Sequence, residues 1–266
     1  MTSPNPCAID DSYLATDTCP KHGEVQIRVI DSPFCEPGEK STLIKGECPQ
    51  CRAERIDRET AVARREREAV VLLETKRLLR DAGIPPRFAS KTFAGFDADS
   101  QGARKNLRVC EAFVERFPQQ LENGTTLVMT GRPGTGKTHL ATAITRGVIE
   151  RHGKVARYIG ASDLMRSIKE TYRPGSERTE REVIAEFASI DLLVVDEVGI
   201  QVGSDTEKQL MFEVFNGRYG ALKPTVLLSN LTTEELGAYL GDRLMDRFRE
   251  GGAVLVFDGE SRRGRA

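Results

Sequence analysis

The stretch Gly131-Arg132-Pro133-Gly134-Thr135-Gly136-Lys137-Thr138 decides the fold. It follows an apolar run at residues 126–130 and leads into a helical pattern at residues 139–151. A glycine loop of the form G-x-x-x-x-G-K-[ST], placed between a strand and a helix, cradles phosphates. Its backbone N–H groups and the N-terminus of the helix direct partial positive charge at an anion. The sequence therefore predicts a nucleoside triphosphate site, against the alternative of a chance glycine turn.

Two side chains of this loop have expected tasks of their own. Lys137 is expected to reach the β- and γ-phosphates of ATP, and the hydroxyl of Thr138 is expected to bind Mg²⁺. Glycine suits the loop because it lets the backbone approach the phosphates closely. The residues expected to line the phosphates beside Lys137 and Thr138 are Gly131, Pro133, Gly134, Thr135 and Gly136.

The composition is that of an ordinary soluble globular protein. Of the 266 residues, 39% are hydrophobic and 30% are charged, which is typical of a folded chain. The net charge of −1 argues neither for nor against a nucleic-acid partner, so any basic site must be a local patch. Residues 1–15 lack the pattern of a signal peptide, and no apolar run is long enough to span a bilayer. We therefore expect a cytoplasmic protein without membrane contact.

Beyond the loop, the pattern alternates between strands and helices. Continuous apolar strands separated by helices predict a doubly wound α/β domain with a parallel sheet. The nucleotide should lie at the carboxyl edge of that sheet. Ser162 is expected to cap a helix that reaches about residue 172. The other predicted helices are residues 106–117, 180–189, 205–222, 233–240 and 242–250. The predicted strands are residues 155–159, 192–195, 225–229 and 253–257 and, in the N-terminal region, 24–30.

Two acids follow the apolar strand at residues 192–195. Asp196 can bind in the Mg²⁺ shell, and Glu197 can orient and deprotonate an attacking water. A strand ending in two acids could instead be a capped turn, but the phosphate loop upstream favours the catalytic interpretation. The pair also favours hydrolysis over phosphate transfer to a small molecule, because a kinase must exclude water. Asn230, at the end of the next strand, is placed to hold the water or the γ-phosphate.

The N-terminal region carries five of the six cysteines. The pairs Cys19-x₂-His22 and Cys48-x₂-Cys51 together offer three thiolates and one imidazole, which suits a closed tetrahedral Zn²⁺ site. Cys35 lies between the pairs and could replace His22. The alternative is a set of unrelated thiols in a disordered tail. Because so small a module cannot bury a sufficient core, metal would supply much of its folding energy.

Residues 52–81 form one long helical pattern without glycine or proline. Basic and acidic residues are interleaved along it, as in a solvated helix that links two domains. The apolar run at residues 70–73 equally favours a helix that docks on a partner. Gly83 and the two prolines that follow shortly after it end the helix. The chain is thus divided into a zinc-binding module (1–51), a linker or docking helix (52–82) and an ATPase domain (83–266).

The order of these motifs resembles that of the AAA+ ATPases. The phosphate loop matches Walker A, Asp196 and Glu197 match Walker B, and Asn230 matches sensor 1. The sequence runs only to residue 266, so we expect an AAA+ core with no C-terminal helical lid domain.

The same resemblance implies two arginines that act on the nucleotide. An arginine finger is expected within residues 241–248, where Arg247 is the closest match and Arg243 the second. A sensor 2 arginine is expected within residues 261–263, where Arg263 is preferred over Arg262.

Within the AAA+ class, residues 80–265 resemble the branch of DnaC-type helicase loaders and IstB-type transposition ATPases. The segments that carry this resemblance are Ala82-Gly-Ile-Pro-Pro-Arg-Phe88, Lys91-Thr-Phe93 and Gly241-Asp-Arg-Leu-Met-Asp-Arg247. An N-terminal zinc module followed by a helix is more similar to the DnaC type. The resemblance implies ATP-dependent loading of a hexameric replicative DNA helicase onto single-stranded DNA, with self-assembly into a hexamer or spiral on the helicase. A transposition helper ATPase is the first alternative, and a small-molecule P-loop kinase is the second.

The branch also implies a DNA contact between the second and third strands. Cations for the backbone and an aromatic ring for base stacking are what single-strand binding needs. The alternative is a solvated helix face, because glutamates are interspersed. The residues concerned are Arg166, Lys169, Tyr172, Arg173, Arg178 and Arg181.

Overall fold

The computed structural model describes residues 12–31, 43–200 and 204–262. The chain forms two compact units, one up to Leu72 and one from Leu73. Within the described stretches, each helix is too short or too polar to cross a lipid bilayer.

The first unit contains a three-stranded antiparallel sheet. Its strands are β1 (Ser12–Cys19), β2 (Gly23–Asp31) and β3 (Leu43–Lys45), in the order β1-β2-β3. The strand predicted at residues 24–30 is therefore confirmed as β2. Helix α1 (Pro49–Asp81) begins three residues before the predicted start, so its first turn includes Cys51.

The second unit is a parallel five-stranded sheet with helices on both faces, which confirms the predicted α/β class. Its strands are β4 (Thr126–Gly131), β5 (Ala156–Gly160), β6 (Leu192–Asp196), β7 (Thr225–Ser229) and β8 (Ala253–Phe257). Its helices beyond the end of α1 are α2 (Gln101–Glu115), α3 (Phe117–Asn123), α4 (Lys137–His152), α5 (Ala161–Lys169), α6 (Glu180–Ser189), α7 (Asp205–Gly220), α8 (Thr233–Leu240) and α9 (Asp242–Glu250).

One boundary and one cap differ from the prediction. The helix expected at residues 106–117 is confirmed as α2, which begins five residues earlier and ends at Glu115; Pro118 lies in the first turn of the separate helix α3, where proline is tolerated. Ser162 does not cap α5, because the N-cap position is Gly160 and Ser162 lies inside the helix.

The strand order is β5-β6-β7-β4-β8, so β7 lies between the strand of the phosphate loop and the strand that ends in Asp196. Because all five strands are parallel, their carboxyl ends meet at one edge. Successive residues of a strand point to opposite faces. Leu127 and Met129 pack in one apolar core, whereas Val128 packs in the other. The sheet is thus buried on both faces, and β4, β6 and β7 deliver their last residues to a common edge.

The end of α1 covers the outer edge of β5. The backbone N–H of Tyr158 donates to the carbonyl of Ala82 at 2.7 Å, and the Arg157 guanidinium donates to the carbonyl of Asp81 at 2.9 Å. Leu78 and Ala82 are buried in the core beside Tyr158. The segment before the ATPase core is therefore hydrogen-bonded to the edge of its sheet.

A buried arginine holds the amino ends of two strands. The Arg218 side chain on α7 is 1% exposed and donates to the carbonyls of Phe187, Ile190 and Pro224 and to the Thr225 hydroxyl. Burial lowers the pKa of the guanidinium to about 9. Its charge is satisfied by backbone oxygens around the ends of α6 and the starts of β6 and β7.

Candidate active site

A cleft of about 560 Å³ opens at the carboxyl edge of the sheet. It brings together the phosphate loop, both acids of the Asp-Glu pair and the asparagine that follows β7. Its lining residues are Arg87, Phe88, Lys91, Phe96, Pro133, Gly134, Gly136, Lys137, Thr138, His139, Asp196, Glu197, Asn230 and Arg262.

Two glycines give the loop its path. Gly131 has a φ of 130°, and a Cβ there would lie 2.1 Å from the carbonyl oxygen of Phe257 on β8. Gly136 has a φ of 102°, and a Cβ there would meet the ring of Phe96 at 2.6 Å. Residues that carry a side chain rarely adopt either backbone conformation, and a Cβ would clash at both positions, so only glycine fits them. The loop is therefore wedged between β8 and Phe96 before it enters α4.

Lys137 points back into the loop. Its ammonium donates to the carbonyl of Gly131 and, at 2.8 Å, to the carbonyl of Arg132. The hydroxyl of Thr135 also donates to the carbonyl of Arg132, at 2.8 Å. Both side chains are buried. The loop thus holds its cation among its own carbonyl groups, at the N-terminus of α4.

Asp196 is restrained by three donors. Its Oδ2 atom accepts hydrogen bonds from the Thr138 hydroxyl, at 3.1 Å, and from the Tyr158 hydroxyl. Its Oδ1 atom accepts from the backbone N–H of Glu197 at 2.7 Å. Burial, followed by the neighbouring carboxylate of Asp196, raises the pKa of Tyr158, so the phenol stays protonated. A hydroxyl and a carboxylate oxygen this close are hard oxygen donors of the kind that suit Mg²⁺.

Glu197 and Asn230 lie on the open side of the cleft. Glu197 has a φ of 62°, a left-handed conformation that costs a side-chain-bearing residue roughly 1 kcal/mol or more. The next residue, Val198, returns to the sheet through a bond of 3.0 Å from its N–H to the carbonyl of Leu228. Glu197 and Asn230 are both exposed. The strained turn therefore presents a carboxylate to the cleft instead of burying it.

Arg262 joins the end of the described chain to the loop. Its backbone N–H donates to the carbonyl of Gly134 at 2.8 Å, and its guanidinium lies 4.6 Å from the ring centre of Phe96. The guanidinium also pairs with Asp99 at 2.9 Å. The ring of His139 packs against the Phe96 ring in an edge-to-face arrangement, with the two ring centroids 5.3 Å apart. Phe96 is thus enclosed by Arg262, His139 and the loop glycine.

A second cluster lies in the first unit. Cys19, His22, Cys48 and Cys51 place one donor atom each within 4.8 Å of all the others. Nδ1 of His22 lies 3.6, 3.6 and 3.4 Å from the sulfurs of Cys19, Cys48 and Cys51. Donors of a tetrahedral Zn²⁺ site with bonds of about 2.0–2.3 Å lie about 3.3–3.8 Å apart. The four side chains therefore fit a zinc ion, and Cys35 lies outside the described residues.

The surroundings of the cluster favour metal binding. Nε2 of His22 lies 3.2 Å from the carboxylate of Glu54, which leaves Nδ1 to face the sulfurs. Backbone N–H groups of Lys21 and His22 lower the pKa of the Cys19 thiol to about 6. The hydrogen bond with Cys19 raises the pKa of Cys51 to about 11. The lowered pKa of Cys19 favours the thiolate form that binds metal, whereas Cys51 would release a proton on binding.

Comparison with known proteins identifies the family. Residues 55–266 match the family model described as IstB-like ATP binding protein. The chain belongs to this family. It is 32% identical over 207 residues to the replicative helicase loader DnaC of Escherichia coli (strain K12), which covers 77% of this chain and 81% of that one. It is 33% identical over 192 residues to DnaC of Buchnera aphidicola subsp. Acyrthosiphon pisum (strain APS), covering 72% and 76%.

Solved structures share the fold of this IstB-like ATP-binding protein. The crystal structure of the DnaC helicase loader aligns with a TM-score of 0.59 at 24% identity, covering 65% of this chain and 100% of that chain. The replication initiator DnaA bound to AMPPCP and single-stranded DNA aligns with a TM-score of 0.55 at 26% identity, covering 66% and 51%. Together with the family match, they confirm the AAA+ ATPase class and nucleotide binding.

The predicted arginine finger lies away from the cleft of its own chain. Arg247 on α9 lines a separate groove of about 1120 Å³ beside the amino ends of β4 and β8. Its guanidinium donates to the side-chain oxygen of Asn216 and lies 4.8 Å from the ring centre of Tyr219. Arg243 is exposed on the same helix, 5.7 Å from the ring centre of Phe212. Arg263 lies outside the described residues, so its role stays a prediction.

Carboxylates accompany the predicted DNA-binding cations. Lys169 pairs with Glu207 at 2.7 Å, and Arg178 pairs with Glu186. Tyr172 is 55% exposed, and its hydroxyl donates to a neighbouring glutamate. Arg173 is exposed at the mouth of a groove of about 280 Å³ that Lys169 also lines. The segment therefore offers an exposed ring and an exposed cation, and DNA binding by it stays a prediction.

Tyr158 and His139 are among the residues at the cleft that the sequence patterns missed. Tyr158 reaches Asp196 from the neighbouring strand, and His139 packs on Phe96 one residue after the loop motif ends. The register of β5 against β6 would have identified Tyr158, but strand register is not readable from an isolated five-residue strand. His139 carried no signal beyond its position.

Proposed function

We propose that this chain is an ATP-dependent loader of a hexameric replicative DNA helicase onto single-stranded DNA. The observation that carries the proposal is its identity of 32%, over 77% of the chain, to the Escherichia coli protein named replicative helicase loader DnaC. The cleft that unites the phosphate loop with Asp196 and Glu197 supports the ATP-dependent part. This function would place the protein in the cytoplasm, where the chromosome is replicated.

In the proposed hydrolysis, the side chains of the cleft divide the work. Lys137 leaves its loop carbonyls to meet the β- and γ-phosphates, while Glu197 orients and deprotonates the attacking water. Asn230 holds that water or the γ-phosphate. Mg²⁺, held by Thr138 and Asp196, would neutralise charge on the phosphate oxygens.

Completion of the site by a second copy is part of the proposal. An arginine finger must reach the phosphate held by another chain, because Arg247 lies beside the amino ends of the strands, whereas the nucleotide cleft lies at their carboxyl ends. Arg263 is proposed as the sensor arginine of the same chain. Self-assembly into a hexamer or spiral would create one such shared site at each interface.

The N-terminal part is proposed to recognise the helicase. We assign residues 1–51 to a zinc-binding module, 52–82 to a docking helix and 83–266 to the ATPase domain. Zn²⁺ would be held by Cys19, His22, Cys48 and Cys51. Apolar side chains on α1 that are more than half exposed support docking, since contiguous exposed apolar patches mark interaction sites. They are Val70, Val71, Leu72 and Leu73.

A second candidate function is that of a transposition helper ATPase. The match of residues 55–266 to the IstB-like family model favours it, because the sequence also resembles the IstB-type transposition ATPases. The two candidates differ in their partner and in their DNA. A helicase loader would act with a helicase on single-stranded DNA, whereas a transposition helper would act with a transposase on duplex DNA.

The decisive experiment is a pull-down with the replicative helicase of the same cell, followed by loading onto circular single-stranded DNA. We expect a stable complex and helicase transfer to the circle in ATP. Lys137→Ala protein should bind the helicase and fail in ATP-dependent transfer. Capture of a transposase with no binding to the helicase would support the second candidate and contradict the first.

A further inference from the structure

Tyr158 is a buried phenol that the proposed hydrolysis does not use. It lies in β5, is 4% exposed and packs in the core against α4. Its hydroxyl nevertheless leaves this apolar environment to donate to Oδ2 of Asp196. A buried hydroxyl aimed at a carboxylate in the cleft calls for an explanation beyond packing.

Strand pairing brings the two side chains together. β5 and β6 are parallel, with Tyr158 opposite Val194 and Gly160 opposite Asp196. Residues two apart on a strand share a face, so Asp196 lies on the same face as Val194 and its cross-strand neighbour Tyr158. The offset of two residues, about 6–7 Å along the strand, matches the length of a tyrosine side chain. A shorter polar residue at position 158 could not reach the acid.

Among the residues that the structure describes, Tyr158 is the hydrogen-bond donor to the acid that lies on another strand. Asp196 also accepts from Thr138, which belongs to the phosphate loop, and from the N–H of Glu197, its own neighbour in the chain. The backbone of β5 is in turn fixed by the bond from the Tyr158 N–H to Ala82. The phenol therefore ties the acid to a strand whose backbone is hydrogen-bonded to β6 on one side and to Ala82 on the other.

We propose that Tyr158 is a positioning residue, whose hydroxyl holds the Asp196 carboxylate in the orientation that accepts the Mg²⁺ accompanying ATP. The proposal rests on the proposed role of Asp196 in Mg²⁺ binding. Removing a hydrogen bond to a metal-ligating group typically costs about 10- to 100-fold in metal affinity. Because Thr138 and the Glu197 N–H continue to restrain the acid, we expect about tenfold.

Tyr158→Phe tests the proposal, because it removes one oxygen and keeps the ring in the core. Mn²⁺ serves as the probe, and its free concentration is measured by electron paramagnetic resonance in the presence of a non-hydrolysable ATP analogue. We expect the full-length variant to bind Mn²⁺ about tenfold more weakly. Its affinity for a fluorescent ATP analogue in EDTA should stay within about twofold. In steady-state hydrolysis, half-saturating Mg²⁺ should rise about tenfold while the rate at saturating Mg²⁺ stays within about twofold.

Two further variants make the outcome specific. Tyr239→Phe, on α8 and outside the cleft, should leave both affinities unchanged. Asp196→Asn should weaken Mn²⁺ binding strongly, and an unchanged value there would overturn the metal site of the proposed function itself. If Asp196→Asn weakens Mn²⁺ binding and Tyr158→Phe does not, only the role of Tyr158 is overturned. An equal loss of metal-free nucleotide affinity in Tyr158→Phe would also overturn it, because it would reveal general loosening of the cleft.

Discussion

The ammonium of Lys137 lies 2.8 Å from the carbonyl oxygen of Arg132, inside the phosphate loop. A second bond goes to the carbonyl of Gly131. Two loop carbonyls therefore accept hydrogen bonds from this cation. A triphosphate would exchange neutral acceptors for charged ones, and charge-assisted hydrogen bonds are about twice as strong as neutral ones.

Lys137→Ala should therefore weaken nucleotide binding about 10- to 100-fold, the usual cost of hydrogen bonds to a charged group. Equilibrium titration with a fluorescent ATP analogue measures it. Lys154→Ala, an exposed lysine after α4, is the matched control and should bind normally. Equal affinity of the two variants would contradict the assignment of Lys137.

Glu197→Gln should separate binding from hydrolysis. The amide keeps the size and some hydrogen bonding of the side chain but cannot take a proton, so turnover should fall about 10²- to 10⁴-fold while ATP remains bound. Phosphate release and retention of ATP are measured on the same sample. Glu234→Gln, exposed on α8, serves as the control. Hydrolysis at the unmutated rate in Glu197→Gln would show that another group is the base.

The four-residue cluster of the first unit should carry about one zinc per chain, as structural sites of this type do. Cys48→Ser should release the metal and unfold the N-terminal unit while nucleotide binding persists. Elemental analysis measures the loss of zinc, and circular dichroism measures the unfolding. Cys110→Ala alters a buried cysteine of the other unit and should retain zinc. Because the ligands must lose protons to bind, zinc affinity should fall as the pH is lowered. Freshly purified, unchelated protein without zinc would contradict the site.

Arg247→Ala should leave ATP binding by the isolated chain nearly unchanged and reduce assembly-dependent hydrolysis by about 10²-fold or more. Arg249→Ala, two residues along α9 and exposed, is the control and should be active. Mixing Arg247→Ala with Lys137→Ala protein sharpens the test, because interfaces that pair an intact Lys137 with an intact Arg247 should recover activity. Mixtures that co-assemble without recovery would argue against a shared site.

Charge reversal at Arg173 and Arg178 should weaken binding to single-stranded DNA. If both contact phosphates, the slope of log affinity against log salt should flatten by about 1.4, which is about 0.7 for each lost contact. Fluorescence anisotropy across a salt series gives both quantities. Reversal of Lys105 and Arg108, exposed on α2, controls for net charge. Affinity and slope equal to those of the unmutated protein would identify the segment as a solvated face.

Local patterns predicted β2, the five strands of the parallel sheet and the phosphate loop, because each is encoded in a few adjacent residues, whereas β1 and β3 were not predicted. Lys137, Asp196 and Asn230 were predicted to lie close together because each follows a strand, and the carboxyl ends of parallel strands lie at the same edge of the sheet. Tyr158 was not predictable, because its partner depends on the register of two distant strands. Arg218 was not predictable either, since arginine is almost never fully buried without a carboxylate partner, and here backbone carbonyls take that place.

The hydrogen bond from the Tyr158 N–H to the Ala82 carbonyl limits how far the chain can be shortened from its N-terminus while the ATPase unit stays intact. A fragment that starts at residue 83 loses that bond, together with Leu78 and Ala82 from the core. Its β5 would then be an open sheet edge with an unpaired N–H, the kind of edge that recruits strands from other molecules. A fragment that starts at Leu73 keeps the edge covered. The shorter fragment should therefore aggregate on concentration, whereas the longer one should remain monodisperse.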